Sequence, residues 1–411
     1  MAEFLINSVG LPEWLAWTVT ALVAAVLILN VIAGGALVFI WAERKIAARI
    51  QDRLGPTRTG GRFGWLQSLA DGLKLLSKED LMPDGADGML FRLAPYVSFC
   101  ASFCAFIALP FAFDFIGCRL NVGVFFVVAV LGLEVFGVIL AGYASASKWS
   151  LFGAMREAAQ VVSYEVPLGM CVVVPVMLAG SMDMVTIAEK QAGWFPNWYL
   201  FHDPFTFVIF WVYITCAVAS VNRAPFDLAE AESELVAGFH TEYSGLRWSY
   251  FFMAEYGSMF LVSALAAILF LGGWNGPIPV AKLLGLSEGT GDTAGYFVRL
   301  LGMFNLLGKA TLGVLVMMWV RWTLPRLRID QVMTTCLKYC TPIAAVMFAG
   351  VMLWQLFLPG GLSRGGLFGR PAGEVREGWL EGPGGRAASP GGTAAGPRVQ
   401  QEAEGVAQVN P

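Results

Sequence analysis

The chain has 411 residues, 57% of them hydrophobic and 14% charged, with a mean hydropathy of +0.64. A soluble domain ordinarily carries about 25% charged residues, so this composition argues against a water-soluble enzyme and, over most of the length, against disorder. The formal net charge of −3, from 27 Lys and Arg against 30 Asp and Glu, supplies no general cationic field and excludes nucleic acid as a partner.

A bilayer core takes about 20 apolar residues per helix. In chain order, apolar blocks run over 14–42, 93–113, 120–147, 158–182, 204–222, 249–271, 300–320 and 339–358. The first, second, fifth and eighth contain no charge, while Glu134, Glu165, Glu255 and Lys309 interrupt the other four singly. Irregular backbone and open sheet edges cannot face lipid, so the blocks are helices. They are twice the length of barrel strands and do not alternate. The expected fold is all-α, a polytopic membrane protein of eight transmembrane helices, with a membrane domain over 1–360. The first block is too long for a signal-peptide core and should stay as a membrane helix.

Between the first two blocks lies the connection 42–90. It opens with Glu43-Arg44-Lys45, continues through Arg49 and Arg53, and breaks at Gly55-Pro56. Trp65, Leu66, Leu69, Leu73 and Leu76 then recur at helical spacing, opposite Gln67, Ser68, Asp71, Lys74, Ser77 and Lys78. That pattern predicts an amphipathic helix lying along the interface, too short to span. Two readings stand: a cationic anchor against lipid headgroups, or one wall of a cleft opening near the bilayer surface.

The connection 222–247 is acidic. Arg223 and Arg247 face Asp227, Glu230, Glu232, Glu234 and Glu242. On a helix, Glu230 and Glu234 share a face, and exposed like charges at that spacing repel by roughly 0.2–0.5 kcal/mol. If desolvated, they push one pKa upward and can hold a proton near neutral pH. A solvated acidic loop is the competing reading. The ionisable residues inside the spans, Glu134, Glu165, Glu255 and Lys309, would each cost at least ~2.5 kcal/mol if central and unpaired. They must face protein, water or one another, either as helix-tying pairs or as steps of a proton path.

Sixteen Lys and Arg fall on the side of the connections 42–90, 148–157, 222–247 and 321–338, against four on the other. The rich side is therefore expected in the cytoplasm, with both termini periplasmic. Residues 361–411 hold 13 Gly and 5 Pro, a composition expected of a disordered tail.

Redox and nucleotide signals are missing. No G-x-G-x-x-G follows a strand, and Gly302–Lys309 has the wrong spacing for a P-loop. His202 and His240 fall outside the spans on opposite sides, so they do not form an intramembrane haem pair. Cys100/Cys104 and Cys336/Cys340 are four apart, not the closer sets that iron–sulfur ligation uses. No redox centre is expected in this chain.

The stretches AERKIAARIQDRLGP, LADGLKLLSKED, LAGYASASKWSLFGAMREAAQVVSYEVPLG, NRAPFDLAEAESELVAGFHTEYSG, FFMAEYG and VRWTLPRLRIDQVM are spread over about residues 42–333. Together they resemble the H subunits of bacterial NADH:quinone oxidoreductase, respiratory complex I, homologues of mitochondrial NADH dehydrogenase subunit one. The resemblance implies a proton-translocating enzyme subunit at the joint of the membrane and peripheral arms. Its loops would help enclose a chamber for ubiquinone or menaquinone. On the family pattern Arg44, Arg53 and Phe252 would line the entrance, and Asp71 would belong to the chamber's charged path. Arg223, Phe226 and Asp227 would join them in binding quinone, with Arg223 and Asp227 also holding the acidic loop and docking the peripheral arm. Glu230, Glu232 and Glu234 would lead into the membrane, continued by Tyr164, Glu165 and Glu255, with Glu134 and Lys309 as further path candidates. NADH, FMN and the iron–sulfur clusters would belong to partner subunits. The expected partners are the peripheral-arm quinone-site subunits, the adjacent small membrane subunits, quinone and lipid. The expected location is the bacterial plasma membrane rather than the mitochondrial inner membrane. The chain departs from the family at Thr57 and at Ser220, where many members carry a glutamate; Glu134 is the substitute candidate. Alternatives are the equivalent subunit of a membrane-bound hydrogenase, an independent secondary transporter, or a passive anchor.

Overall fold

The computed structural model describes residues 12–113, 115–230, 232–279 and 293–357. Within them the fold is all-helical. Helix α1 is Glu13–Ile50, α2 Gln67–Ser77, α3 Gly88–Ala108, α4 Gly123–Ala144, α5 Lys148–Ala179 and α6 Met184–Lys190. Next come α7, Pro204–Ser220, the single turn α8, Glu232–Leu235, α9, Gly245–Phe270, and α10, Thr293–Thr323. The last, α11, runs over Ile329–Phe357 with a π-helical stretch at Thr334–Cys340. Seven of these helices are long and apolar enough to cross a membrane, and α7, with 17 residues, is the shorter eighth. The expected tail at 361–411 lies outside the described residues.

Local chemistry sets several boundaries. Asp87 and Asp203 cap α3 and α7, accepting from Met89 N at 3.1 Å and Thr206 N at 2.7 Å, and Pro204 occupies the first turn of α7, where it costs no hydrogen bond. Gly180, at φ 65°, ends α5 in the left-handed conformation. Several helices run further than the apolar blocks suggest, α1 and α5 among them. At 1.5 Å per residue, the 38 residues of α1 cover about 57 Å, nearly twice a ~30 Å hydrocarbon core. Its last turns therefore carry Glu43 and Arg44 beyond the apolar layer. Likewise α5 starts at Lys148, ten residues before the apolar block at 158.

Helix α9 is the centre. Every residue from Tyr256 to Phe270 is buried, and α1, α3, α5, α7 and α10 all pack on it. By contrast α1 and α11 present long apolar faces, with Leu22, Leu27, Val346 and Leu353 exposed, as suits surfaces meeting lipid or other subunits. Small residues let the helices close up: a Cβ on Gly142 would lie 2.3 Å from the Ala154 Cβ.

The connection 221–244 is not a solvated loop. Phe226, Asp227, Leu228, Ala229, Leu235, Phe239, His240 and Tyr243 are buried. Ser150 Oγ donates to Phe239 O at 2.8 Å, and Tyr243 stacks on Phe91 at 4.1 Å while its hydroxyl donates to Phe91 O. Gly238 holds φ 61°, and a Cβ there would fall 1.7 Å from Ala229 O, so only glycine fits this return of the chain.

Candidate functional site

Where α1, α5, α9 and α10 meet this buried loop, charged side chains converge. Arg223, 2% exposed, is the hub. Its Nη1 lies 3.2 Å from both Glu43 oxygens, and its Nε sits 2.6 Å from Glu255 Oε1 as a close ion pair rather than an aligned hydrogen bond. Arg321 Nη1 donates to Glu43 Oε1 at 2.5 Å, and Tyr256 Oη to Glu43 Oε2 at 2.5 Å. The Arg223 guanidinium also lies over the Tyr256 ring at 4.6 Å. A charge buried this deeply is tolerated only because it is paired from several directions.

Beside the hub, Asp227 Oδ2 accepts from Arg326 Nη2 at 2.9 Å while Oδ1 has no aligned partner among the described residues. Burial raises the Asp227 carboxyl above its usual range, against the pull of Arg326 and Arg223. Glu230 is raised well above the carboxylate range, by burial first and then by the Glu255 and Asp227 charges. Its Oε1 lies 3.5 Å from His240 Nδ1, and burial pushes that imidazole down to about 4. Glu230 and His240 are thus biased toward their neutral forms. His240 stands at the edge of an aromatic group in which Trp248 and Phe252 approach to 4.0 Å.

A cavity of about 30 Å³ joins these groups, lined by Glu134, Ser220, Asn222, Glu230 and Glu255 among others. It has room for one or two waters at ~10–15 Å³ each. Ser258 Oγ donates to Glu134 on its wall. A second cavity of similar size is lined by Tyr164, Glu165 and, again, Ser220. Tyr164 is buried, while Glu165 is exposed on the flank of the isolated chain. Glu234 pairs with Arg156 at 2.7 Å near the surface. The Glu232 side chain lies outside the described residues.

Nearer the surface, α2 is clamped between α1 and the start of α9. Arg44 pairs with Asp71, and Trp41 stacks on Trp65 at 4.2 Å. Arg247 reaches Asp80 at 2.8 Å, and Ser244 Oγ donates to Glu79 O at 2.9 Å. Arg53 is exposed and bonds its neighbour Gln51 at 2.7 Å. Phe226 is in the apolar core rather than on an open face.

The candidates therefore separate into groups. Arg223, Asp227, Glu230, Glu255 and Glu134 come together, with Tyr164 and Glu165 across Ser220. Arg44 and Asp71 form a separate pair, with Arg53 beyond it. Lys309 stands apart: its Nζ donates to the carbonyls of Leu271, Gly273 and Asn275 at 2.5, 2.9 and 2.5 Å, at the far end of α9, under the Trp198 ring. There it acts as a helix-capping cation. Sequence reading gave no site role to Glu43, Glu157, Tyr256, His240, Arg321 or Arg326. Glu157 fell one residue short of an apolar block, although its spacing to Gln160 and Tyr164 puts all three on one face of α5.

The fold and the site together define an integral membrane protein whose centre is a buried, paired network of carboxylates and guanidiniums rather than an apolar bundle. The pattern of the family described as NADH dehydrogenase matches residues 23–352. The chain is 48% identical over 322 residues to the NADH-quinone oxidoreductase H subunit of Chlorobium luteolum, covering 78% of this chain and 85% of that protein. It is 43% identical over 340 residues to the corresponding protein of Anaeromyxobacter dehalogenans (81% and 82% covered), and 44% identical over 342 residues to that of Geobacillus thermodenitrificans (82% and 96% covered). The chain belongs to this family, the membrane-embedded H subunits of NADH-quinone oxidoreductase.

Proposed function

We propose that this chain supplies the membrane wall of a quinone-reduction chamber and transmits each reduction event inward as a proton shift. The carrying observation is the set around the first cavity, where Glu134, Glu230 and Glu255 share one small cavity beside Arg223. Three guanidiniums, Arg223, Arg321 and Arg326, face Glu43, Glu255, Asp227, Glu230 and Glu134. Uncompensated charge is costly where water is scarce, so protons reside on this set and redistribute collectively.

The loop end of the molecule supports the chamber. Arg44–Asp71, exposed Arg53 and the Trp248–Phe252 pair lie on the side from which a quinone headgroup would approach Glu230 and His240. Quinone reduction takes up two electrons and two protons, and the electrons come from partner subunits holding NADH, FMN and iron–sulfur clusters. Charge appearing near Glu230 shifts the proton affinity of its neighbours by Coulomb interaction in a low-dielectric space. The rearrangement passes through Glu255 and Glu134 toward Tyr164 and Glu165. The exposed flank at Glu165 suits contact with an adjacent membrane subunit. The location that fits is the bacterial plasma membrane, with the loops 42–90 and 222–247 cytoplasmic and both termini periplasmic.

The test places Glu255→Gln or Glu165→Gln in the assembled enzyme. Quinone reduction and proton movement should both fall in membrane vesicles. Retention of both at wild-type values in both variants overturns the reading.

A further inference from the structure

Glu157 has no place in the scheme above, yet it is 0% exposed and neither of its oxygens has an aligned hydrogen-bond partner among the described residues. One turn further along α5, Gln160 Nε2 donates to Ala219 O at 2.7 Å and to Asn222 Oδ1 at 2.9 Å, leaving Gln160 Oε1 without a partner as well. With its oxygen engaged by Gln160, Asn222 turns its amide toward the Glu157 carboxylate without reaching aligned geometry. The group is therefore short of donors. An ionised, unpaired carboxylate here would bear the full cost of desolvation, whereas a proton on Glu157 both removes the charge and adds the missing donor.

The position also matters. Asn222 and Ser220 line the cavity shared by Glu134, Glu230 and Glu255, and Ser220 lines the second cavity, with Tyr164 and Glu165. Glu157 lies beside Asn222 at the edge of this junction, two turns before Tyr164 on the same face of α5 and within electrostatic reach of Glu134, Glu230 and Tyr164. The hydroxyl of Ser220 donates to Ala217 O at 2.9 Å and carries no exchangeable charge of its own near neutral pH.

We infer that Glu157 is a proton-exchange site bridging the two cavities, a protonated carboxylic acid that passes a proton between the Glu134/Glu230/Glu255 set and the Tyr164–Glu165 side. A proton arriving on one carboxyl oxygen is matched by release from the other, so the group returns to its neutral form and no electron changes hands. This rests on the coupling role proposed above and adds the member that makes the two cavities one path.

The test uses the complete enzyme in native membrane vesicles. Glu157→Gln should abolish most of the quinone-coupled proton translocation and remove one carboxylic-acid carbonyl band from the redox-difference infrared spectrum. Adding Ser220→Glu to that variant should restore translocation, because the new carboxyl sits at the same junction. Wild-type translocation in Glu157→Gln, while Glu165→Gln and Glu255→Gln lose it, overturns the role of Glu157 and leaves the wider reading standing. Wild-type translocation in all three overturns both. If Glu157→Gln does not assemble, Glu157→Asp keeps a titratable group: a shifted carbonyl band supports the inference, and an unshifted spectrum overturns it.

Discussion

Arg223 and Glu255 are joined at 2.6 Å in a region where the arginine is almost wholly buried. One residue belongs to the acidic loop and the other to the central helix, so this pair ties the loop to the core. The same guanidinium also spans Glu43 on α1. Three segments far apart in sequence thus depend on one cation.

Arg223→Met should therefore be severe. It strands Glu43 and Glu255 without their shared partner, and breaking a buried pair costs about 3–5 kcal/mol. The expected outcome is poor accumulation of the protein in membranes, measured by immunoblot of the assembled complex. Arg223→Lys should recover less than half, because a point charge cannot bridge both carboxylates as the fork does.

His240 gives a pH-dependent term of known sign. Its folded value, about 4, lies below its ordinary 6.5, so between these the unfolded chain binds the proton and the native chain does not. Stability from His240 is complete above pH 6.5 and is lost as pH falls toward 4. Glu230 and Asp227, both raised, contribute with the opposite slope, so the difference between wild type and His240→Gln isolates the imidazole. That difference in hydrogen-exchange protection of residues 221–244 should grow by about 3 kcal/mol from pH 4 to pH 6.5 and then level off. A flat difference contradicts the burial argument.

The Arg44–Asp71 pair should behave otherwise. Its partners are 44% and 24% exposed, and such pairs contribute about 0–1 kcal/mol. Asp71→Asn should leave the amount of assembled enzyme unchanged and raise the apparent KM for quinone, because the pair positions α2 against α1 at the mouth of the proposed chamber. The exchange Arg44→Asp with Asp71→Arg should return KM most of the way, read from steady-state kinetics with a short-chain quinone.

Lys309 is predicted to act structurally. Lys309→Met strips donors from three carbonyls at the end of α9, each loss costing about 1–3 kcal/mol. Thermal inactivation of the purified complex should occur at lower temperature. The number of protons moved per NADH oxidised should not change.

The spans were legible in the sequence because exclusion from lipid is a one-dimensional rule: about 20 uncharged residues announce a helix wherever they fall. The amphipathic helix was legible for a similar reason, since Leu69, Leu73 and Leu76 share a face at fixed spacing. The same rule blurred the ends of α1 and α5, whose charged turns continue the helix past the apolar block. That blurring hid Glu43 and Glu157, each just outside the residues that the charge-free count includes.

Composition and hydropathy thus determined by themselves that the chain is a helical membrane protein, and the long motifs pointed to its family. Which carboxylates meet was decided in three dimensions. Glu43, Arg223, Glu255 and Arg321 come from α1, the loop, α9 and α10, and nothing in their spacing reveals that they meet. Lys309 reads like a path residue in one dimension, and only the fold brings its Nζ to three carbonyls at the end of α9. Burial and pairing depend on what lies across the fold, and the protonation of an acid follows from those neighbours, not from its place in the chain.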